Sequence, residues 1–131
     1  MAFKRVIIRR VGPLSWLLGG MKTYEQIDLV NDLIRIFPEF ASYWEEDNED
    51  LEFRSFSLHS VYMSFLPFLG NIQPTRIQWQ LLADHLSKEV ASGGKRENAA
   101  DTCVLEHLHQ VRLNKILRPL LSKEAQAYVR A

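Results

Sequence analysis

Apolar residues recur at spacings of three and four along most of this chain, and the intervals between those runs carry helix start and stop signals. Thr23 with Gln26 three residues on forms a capping-box pattern. Ile27, Val30, Ile34 and Phe37 then share one face of a first helix. Pro38 ends it, because the residue before a proline is pushed out of the helical region. Pro38 is also a good first residue for a short second helix carrying Phe40, Tyr43 and Trp44. A third helix is predicted from Ser57 to Leu66, with Leu58, Val61, Tyr62 and Phe65 on one face and Pro67 kinking or ending it. Arg54–Ser57 alternates enough for a short extended piece. Thr75 and Gln78 repeat the capping box before Leu81, Leu82, Leu86 and Val90, and Gly93-Gly94 supplies a left-handed exit. Lys95-Arg96-Glu97 reads as a connector.

The pattern peaks in a fifth helix. Asn98 is a suitable N-cap, with Asp101 in the first turn where negative charge suits the dipole. Ala100, Cys103, Val104, His107, Leu108 and Val111 fall on one broad face, and Leu105, Leu113 and Ile116 on the other. A helix apolar on two sides is central, packed on both. Pro119 interrupts, and Ser122 caps a last short helix through Tyr128. The expectation is a mainly α fold: a compact bundle of five to six helices around a central helix at about 98–117. Residues 21–131 form a single helical domain, preceded by an arm at 1–20 that is either loosely held or contains a short strand at Val6–Ile8.

Composition fits this picture. The 131 residues are 47% apolar and 24% charged, enough to bury a core without metals or disulfides. The single cysteine, Cys103, excludes an internal disulfide and suits a reducing compartment. No apolar run approaches a membrane span, and the apolar patch Leu14–Leu18 behind Lys4, Arg5, Arg9 and Arg10 is too short for a signal peptide. A cytoplasmic protein with no membrane partner is expected.

Charge changes the picture more. The net charge is zero, yet residues 25–56 carry ten acidic groups against Arg35 and Arg54. The density peaks at Glu45-Glu46-Asp47-Asn48-Glu49-Asp50, which reads as an exposed loop. No nucleic-acid partner is expected from such a distribution. The run lacks the alternating ligands and central glycine of a calcium loop. Clustered charge beside aromatics suits a docking surface, with Tyr43 and Trp44 as anchors and Glu45, Glu46, Asp47, Glu49 and Asp50 as the charged contacts. Ten of the fourteen aromatics lie between Phe37 and Trp79, so many of them must be core. The basic residues Arg112, Lys115, Arg118, Lys123 and Arg130 face only Glu124 in their stretch, and read as solvated or paired within the molecule.

The other candidate chemistry is on the fifth helix. Cys103 and His107 are four apart with Glu106 between them, and a thiol beside an imidazole is the minimal nucleophilic pair. The simpler reading makes Cys103 a small buried hydrophobe and His107 a hydrogen-bonded core residue. A structural zinc site wants four ligands, and the single cysteine lacks the paired spacing. No metal, cofactor or catalytic residue is therefore assigned.

The run Asn98-Ala99-Ala100-Asp101-Thr102-Cys103-Val104-Leu105-Glu106-His107-Leu108 resembles stretches of small helical bacterial proteins of uncharacterised role. Size, helical character and the aromatic-flanked acidic patch are also similar to those of immunity proteins, which bind and block toxins from neighbouring bacteria. That resemblance implies a protein partner, a basic toxin domain, and no particular site residues, because the class is diverse in fold. The leading expectation is a protein-binding module that occludes a toxin's basic surface. The alternatives are a cysteine-dependent enzyme or redox sensor using Cys103 and His107, and a structural subunit of a larger assembly or homo-oligomer.

Overall fold

The computed structural model describes residues 25–48 and 57–130, and every regular element among them is helical. The mainly α expectation holds. The Thr23 cap, the strand at Val6–Ile8 and the arm at 1–20 lie outside the described residues. The chain divides into two compact units, residues 1–61 and 62–131.

In the first unit, α1 (Glu25–Ile36) buries Ile27, Leu29, Val30 and Leu33, and Phe37 just beyond its end is fully enclosed. Its acidic first turn (Glu25, Asp28) and basic last turn (Arg35) both match the helix dipole. Pro38 and Glu39 form the exposed turn that leads into α2 (Phe40–Asp47), which packs back against α1. Phe40 and Trp44 are the core residues of α2, with ring centroids 6.2 Å apart.

The described part of the acidic run, Glu45–Asn48, is not the loop that its charge density predicts. Glu45, Glu46 and Asp47 continue α2, and Asn48 closes it with its backbone N–H and its side-chain amide both on the Trp44 carbonyl, at 3.0 and 3.1 Å. Three carboxylates at a helix C-terminus oppose the dipole, at a cost of roughly 0.3–1 kcal/mol each. Burial of Phe40 and Trp44 offsets it, at about 1.5–3 kcal/mol per large apolar side chain.

Helix α3 (Leu58–Leu69) contains the boundary between the units, after Val61. Ser57 and Ser60 cap it reciprocally: the Ser57 backbone N–H donates to the Ser60 hydroxyl at 2.8 Å, and the Ser60 N–H to the Ser57 hydroxyl at 3.2 Å. Contrary to the sequence pattern, α3 runs through Pro67. The carbonyl deprived of a partner is that of Met63, a residue 65% exposed, so water can replace the missing bond there. Continuing the helix buries Phe68 and Leu69.

The hub of the second unit is α4 (Arg76–Ser92), the longest helix among the described residues, started by the predicted capping box with bonds of 2.9 and 3.1 Å between Thr75 and Gln78. It buries Leu82, Ala83, Leu86, Glu89 and Val90, and leaves Leu81 46% exposed, unlike the predicted face. The fully buried Tyr62 of α3 reaches it through a 3.1 Å hydrogen bond to His85 Nε2. Gly93 and Gly94, at φ +73° and +60°, turn the chain so sharply that α5 (Gly94–Cys103) starts at once. Lys95–Glu97 are therefore helical, not a connector, and Asn98 lies inside the helix instead of capping it.

The predicted central helix at 98–117 is also corrected. Helix α5 stops at Cys103, Val104 takes φ −122° and ψ −64°, and Leu105–Val111 is a 3-10 helix. Leu105 and Leu108 are fully buried and Val111 lies three further on, a spacing that matches three residues per turn better than 3.6. Val111 sits against the end of α3, where a methyl group at Gly70 would come within 3.3 Å of it. Arg112 then adopts the left-handed conformation (φ +63°, ψ +33°), with Arg112 N–H bonded to the His109 carbonyl at 3.2 Å and Leu113 N–H to the Leu108 carbonyl at 2.9 Å. Those two bonds make a Schellman ending. Short helical pieces follow: α6 (Asn114–Leu117), a 3-10 turn at Arg118–Leu120, and α7 (Lys123–Gln126), capped by Ser122 as expected although it ends before Tyr128. Both α5 and α7 pack on α4.

Candidate protein-binding surface

Helix α2 sorts the sequence-predicted contact residues by its own rotation. Trp44 and Glu45 are 4% and 5% exposed and turn inward, so neither is a free anchor. Tyr43 is half-buried, stacked on Phe40 at 6.2 Å and 24°. Burial, and then the nearby Asp47 charge, push its hydroxyl pKa up, so the phenol remains a neutral donor. Glu46 and Asp47 are exposed, as is Glu39. Glu49 and Asp50 lie outside the described residues. Glu39, Ser42 and Glu46, spaced three and four apart, form an outward polar edge with Tyr43 along its flank. Glu39 is not among the sequence-predicted contact residues; its place on this edge follows from the helix starting at Phe40.

The local field is strongly negative. From Glu25 to Asn48 the chain carries seven acidic residues and one basic residue, Arg35. Arg35 is itself paired with Asp32 at 2.8 Å. Such an edge can attract and orient a basic surface at a distance of about one Debye length, ~8–10 Å.

The second candidate, Cys103 with His107, meets a different fate. Because α5 ends at Cys103, the four-residue spacing no longer places the two side chains on successive turns of one helix. Burial pushes the thiol pKa up, only partly countered by a hydrogen bond with Thr102, which is the reverse of an activated thiolate. Among the described residues no group of three His, Cys, Asp or Glu side chains is placed to hold a metal ion.

A set of acids that sequence reading passed over lies beside this cysteine. Asp101, in the last turn of α5, has its carboxyl pKa pushed up to about 6, first by burial and then by Glu106 on the 3-10 helix and by Glu97. Glu97, one turn earlier, accepts a 2.6 Å bond from the Tyr128 hydroxyl, whose pKa is thereby pushed up to about 12. The like charges Glu97 and Asp101 at a four-residue spacing were the only signal in the sequence, and Tyr128 arrives from far along the chain.

No protein-family model, curated protein or solved structure matches the chain. Among the described residues no helix is long and apolar enough to cross a membrane.

Proposed function

We propose that this chain is a protein-binding module whose first unit meets a basic partner through the outer edge of α2. The observation that carries this reading is the exposure of Glu39, Glu46 and Asp47 on a segment where seven acids face one arginine. Tyr43 supplies the aromatic contact in place of Trp44, whose ring belongs to the core. Aromatic side chains bordered by charge are favoured interface anchors, and the charges set encounter rate and orientation.

A nuclease-type toxin is the partner class that fits best, since any protein acting on a phosphate backbone needs a positive surface. Binding there neutralises by occlusion, which is the immunity-protein reading. The test is paired capture from native lysate at low and physiological salt, with the wild type and with Glu39→Gln/Glu46→Gln/Asp47→Asn. A basic protein held by the wild type, released by salt and lost in the triple variant supports the proposal. Identical captured sets would refute the α2 edge as the surface.

A second reading, a subunit of a larger assembly, draws on Ile77 and Leu81. They lie one turn apart on α4, 72% and 46% exposed. Sedimentation of the wild type against Ile77→Lys tests it: a concentration-dependent mass that the variant abolishes is expected, and a monomer throughout would exclude self-assembly by this face.

A further inference from the structure

Helix α4 buries one side and leaves a continuous strip on the other. Ile77, Leu81, Asp84, Lys88 and Ala91 are all exposed. Their spacings of four, three, four and three keep them within an arc of about 80° along about 21 Å of helix. That alternation is the 3.5-residue repeat by which one helix presents a seam to another. The rest of the unit reaches the two flanks of the strip. On one, His85 is bonded to Tyr62 of α3 at 3.1 Å, and on the other, Ser87 accepts the Ser122 N–H at 2.9 Å.

The strip is apolar at its start and charged in its middle. Ile77 and Leu81, both large and exposed, open it. Asp84 accepts a 2.9 Å bond from the Gln80 amide, and Lys88 follows one turn later. Among the described residues neither Asp84 nor Lys88 is in an ion pair, although their four-residue spacing would allow one between them.

Reversed, the strip complements itself. Two α4 helices laid antiparallel, with the two-fold axis level with Leu86, bring Asp84 opposite the partner's Lys88 and Lys88 opposite the partner's Asp84. Leu81 then meets the partner's Ala91. Ile77 reaches the partner's Gly93-Gly94 turn, where open space surrounds the place that a Cβ would take. Parallel pairing would instead oppose Asp84 to Asp84 and Lys88 to Lys88, like charges at both positions. A two-fold interface duplicates every contact, so each complementary pair counts twice.

We propose that α4 pairs antiparallel with α4 of a second copy of this chain. Ile77 and Leu81 supply the apolar contact, and the two Asp84–Lys88 pairs fix direction and register, as polar residues within a helical seam do. This pairing rests on the self-assembly reading of the Ile77 and Leu81 face and is independent of the α2 edge. Five positions per copy fall well short of the roughly 20–30 residues a side of a standard interface, so the dimer is a weak one.

Sedimentation equilibrium of the full chain at low salt, from micromolar to millimolar concentration, tests the pairing. It compares the wild type with Ile77→Lys, Asp84→Lys and the exchange Asp84→Lys/Lys88→Asp. All these positions are exposed, so each variant should keep the wild-type unfolding midpoint. The wild type should show a monomer–dimer equilibrium. Asp84→Lys sets lysine against lysine twice, and should raise the dissociation constant about tenfold or more. The exchange restores opposite charges and should return the constant to within about threefold of the wild type. A wild type that is monomeric throughout would overturn both this pairing and the self-assembly reading. A dimer lost in Ile77→Lys but unchanged in Asp84→Lys would keep the face and overturn the antiparallel register, as would an exchange that fails to recover. A dimer indifferent to all three variants would overturn both by placing the interface elsewhere.

Discussion

Acidic side chains crowd two places in this protein, and the two handle charge in opposite ways. Around α2 the carboxylates of Glu39, Glu46 and Asp47 stand in water on a helix whose inner face is aromatic. At the α5 junction Asp101 and Glu106 lie partly withdrawn from water, and burial with the nearby carboxylates pushes the Asp101 pKa up. Solvated carboxylates project a field that a partner can feel, whereas a carboxyl whose pKa is raised by burial and like charges projects less and responds to pH instead. Similar composition thus gives a projected negative field in one region and a carboxyl with a raised pKa in the other, and burial makes the difference.

The sharpest test of the α2 side of this comparison is Trp44. If its ring is core, Trp44→Ala should cost about 3–5 kcal/mol in denaturant unfolding, because a fully enclosed aromatic leaves a cavity. An exposed anchor would instead lose partner affinity with stability nearly unchanged. The two outcomes assign the acidic edge to different contact residues.

Next in size is Arg96, which shows what a buried acid without a cation costs. Glu89 is 6% exposed and lies 3.4 Å from Arg96. Arg96→Met should destabilise by about 2 kcal/mol, less than the 3–5 kcal/mol of a fully buried pair because Arg96 is partly exposed. Adding Glu89→Met should recover most of the loss. Failure of the second substitution to compensate would mean that Glu89 is stabilised by other contacts. It would also weaken the contrast with Asp101, which no cation pairs among the described residues.

Arg112 gives a smaller effect of the opposite sign. A non-glycine residue at φ +63° is strained, and Arg112→Gly should stabilise by about 0.5–1 kcal/mol after the entropy of the unfolded glycine is counted. A loss of stability would show that the guanidinium makes a compensating contact.

Local chemistry explains what was legible in the sequence. The capping box at Thr75 and Gln78, the Gly93-Gly94 turn and the Ser122 cap depend on residue types within a few positions, and all three stand where the pattern put them. The break after Cys103 was hidden. Val104 and Arg112 are the pivots, and neither is a turn residue by composition. The three-residue spacing of Leu105, Leu108 and Val111 was present but also fits one side of an α-helical wheel, so only tertiary packing separates the two. The exposure expected of Trp44 and Glu45 failed for a related reason. Charge density suggested a loop, and the buried aromatics of α2 carried the helix as far as Asp47.

The least stability is at stake in the substitution that bears most directly on the proposed binding surface. Glu39→Gln/Glu46→Gln/Asp47→Asn removes three negative charges from exposed positions, and surface changes of this kind fall within about ±0.5 kcal/mol of neutral. Removal of the two carboxylates at the C-terminal end of α2 should tip that balance slightly toward stabilisation, because they oppose the helix dipole. Association with a basic partner should respond far more strongly. The on-rate at low salt should drop by about tenfold or more, and its dependence on ionic strength should flatten, since steering by exposed charge acts before contact and is screened by salt. Stopped-flow association at several salt concentrations separates the terms. A variant of unchanged stability whose on-rate becomes insensitive to salt isolates α2 as the steering edge. A rate that keeps the wild-type salt slope would move the interface elsewhere on the chain and leave the acidic edge a solvated face.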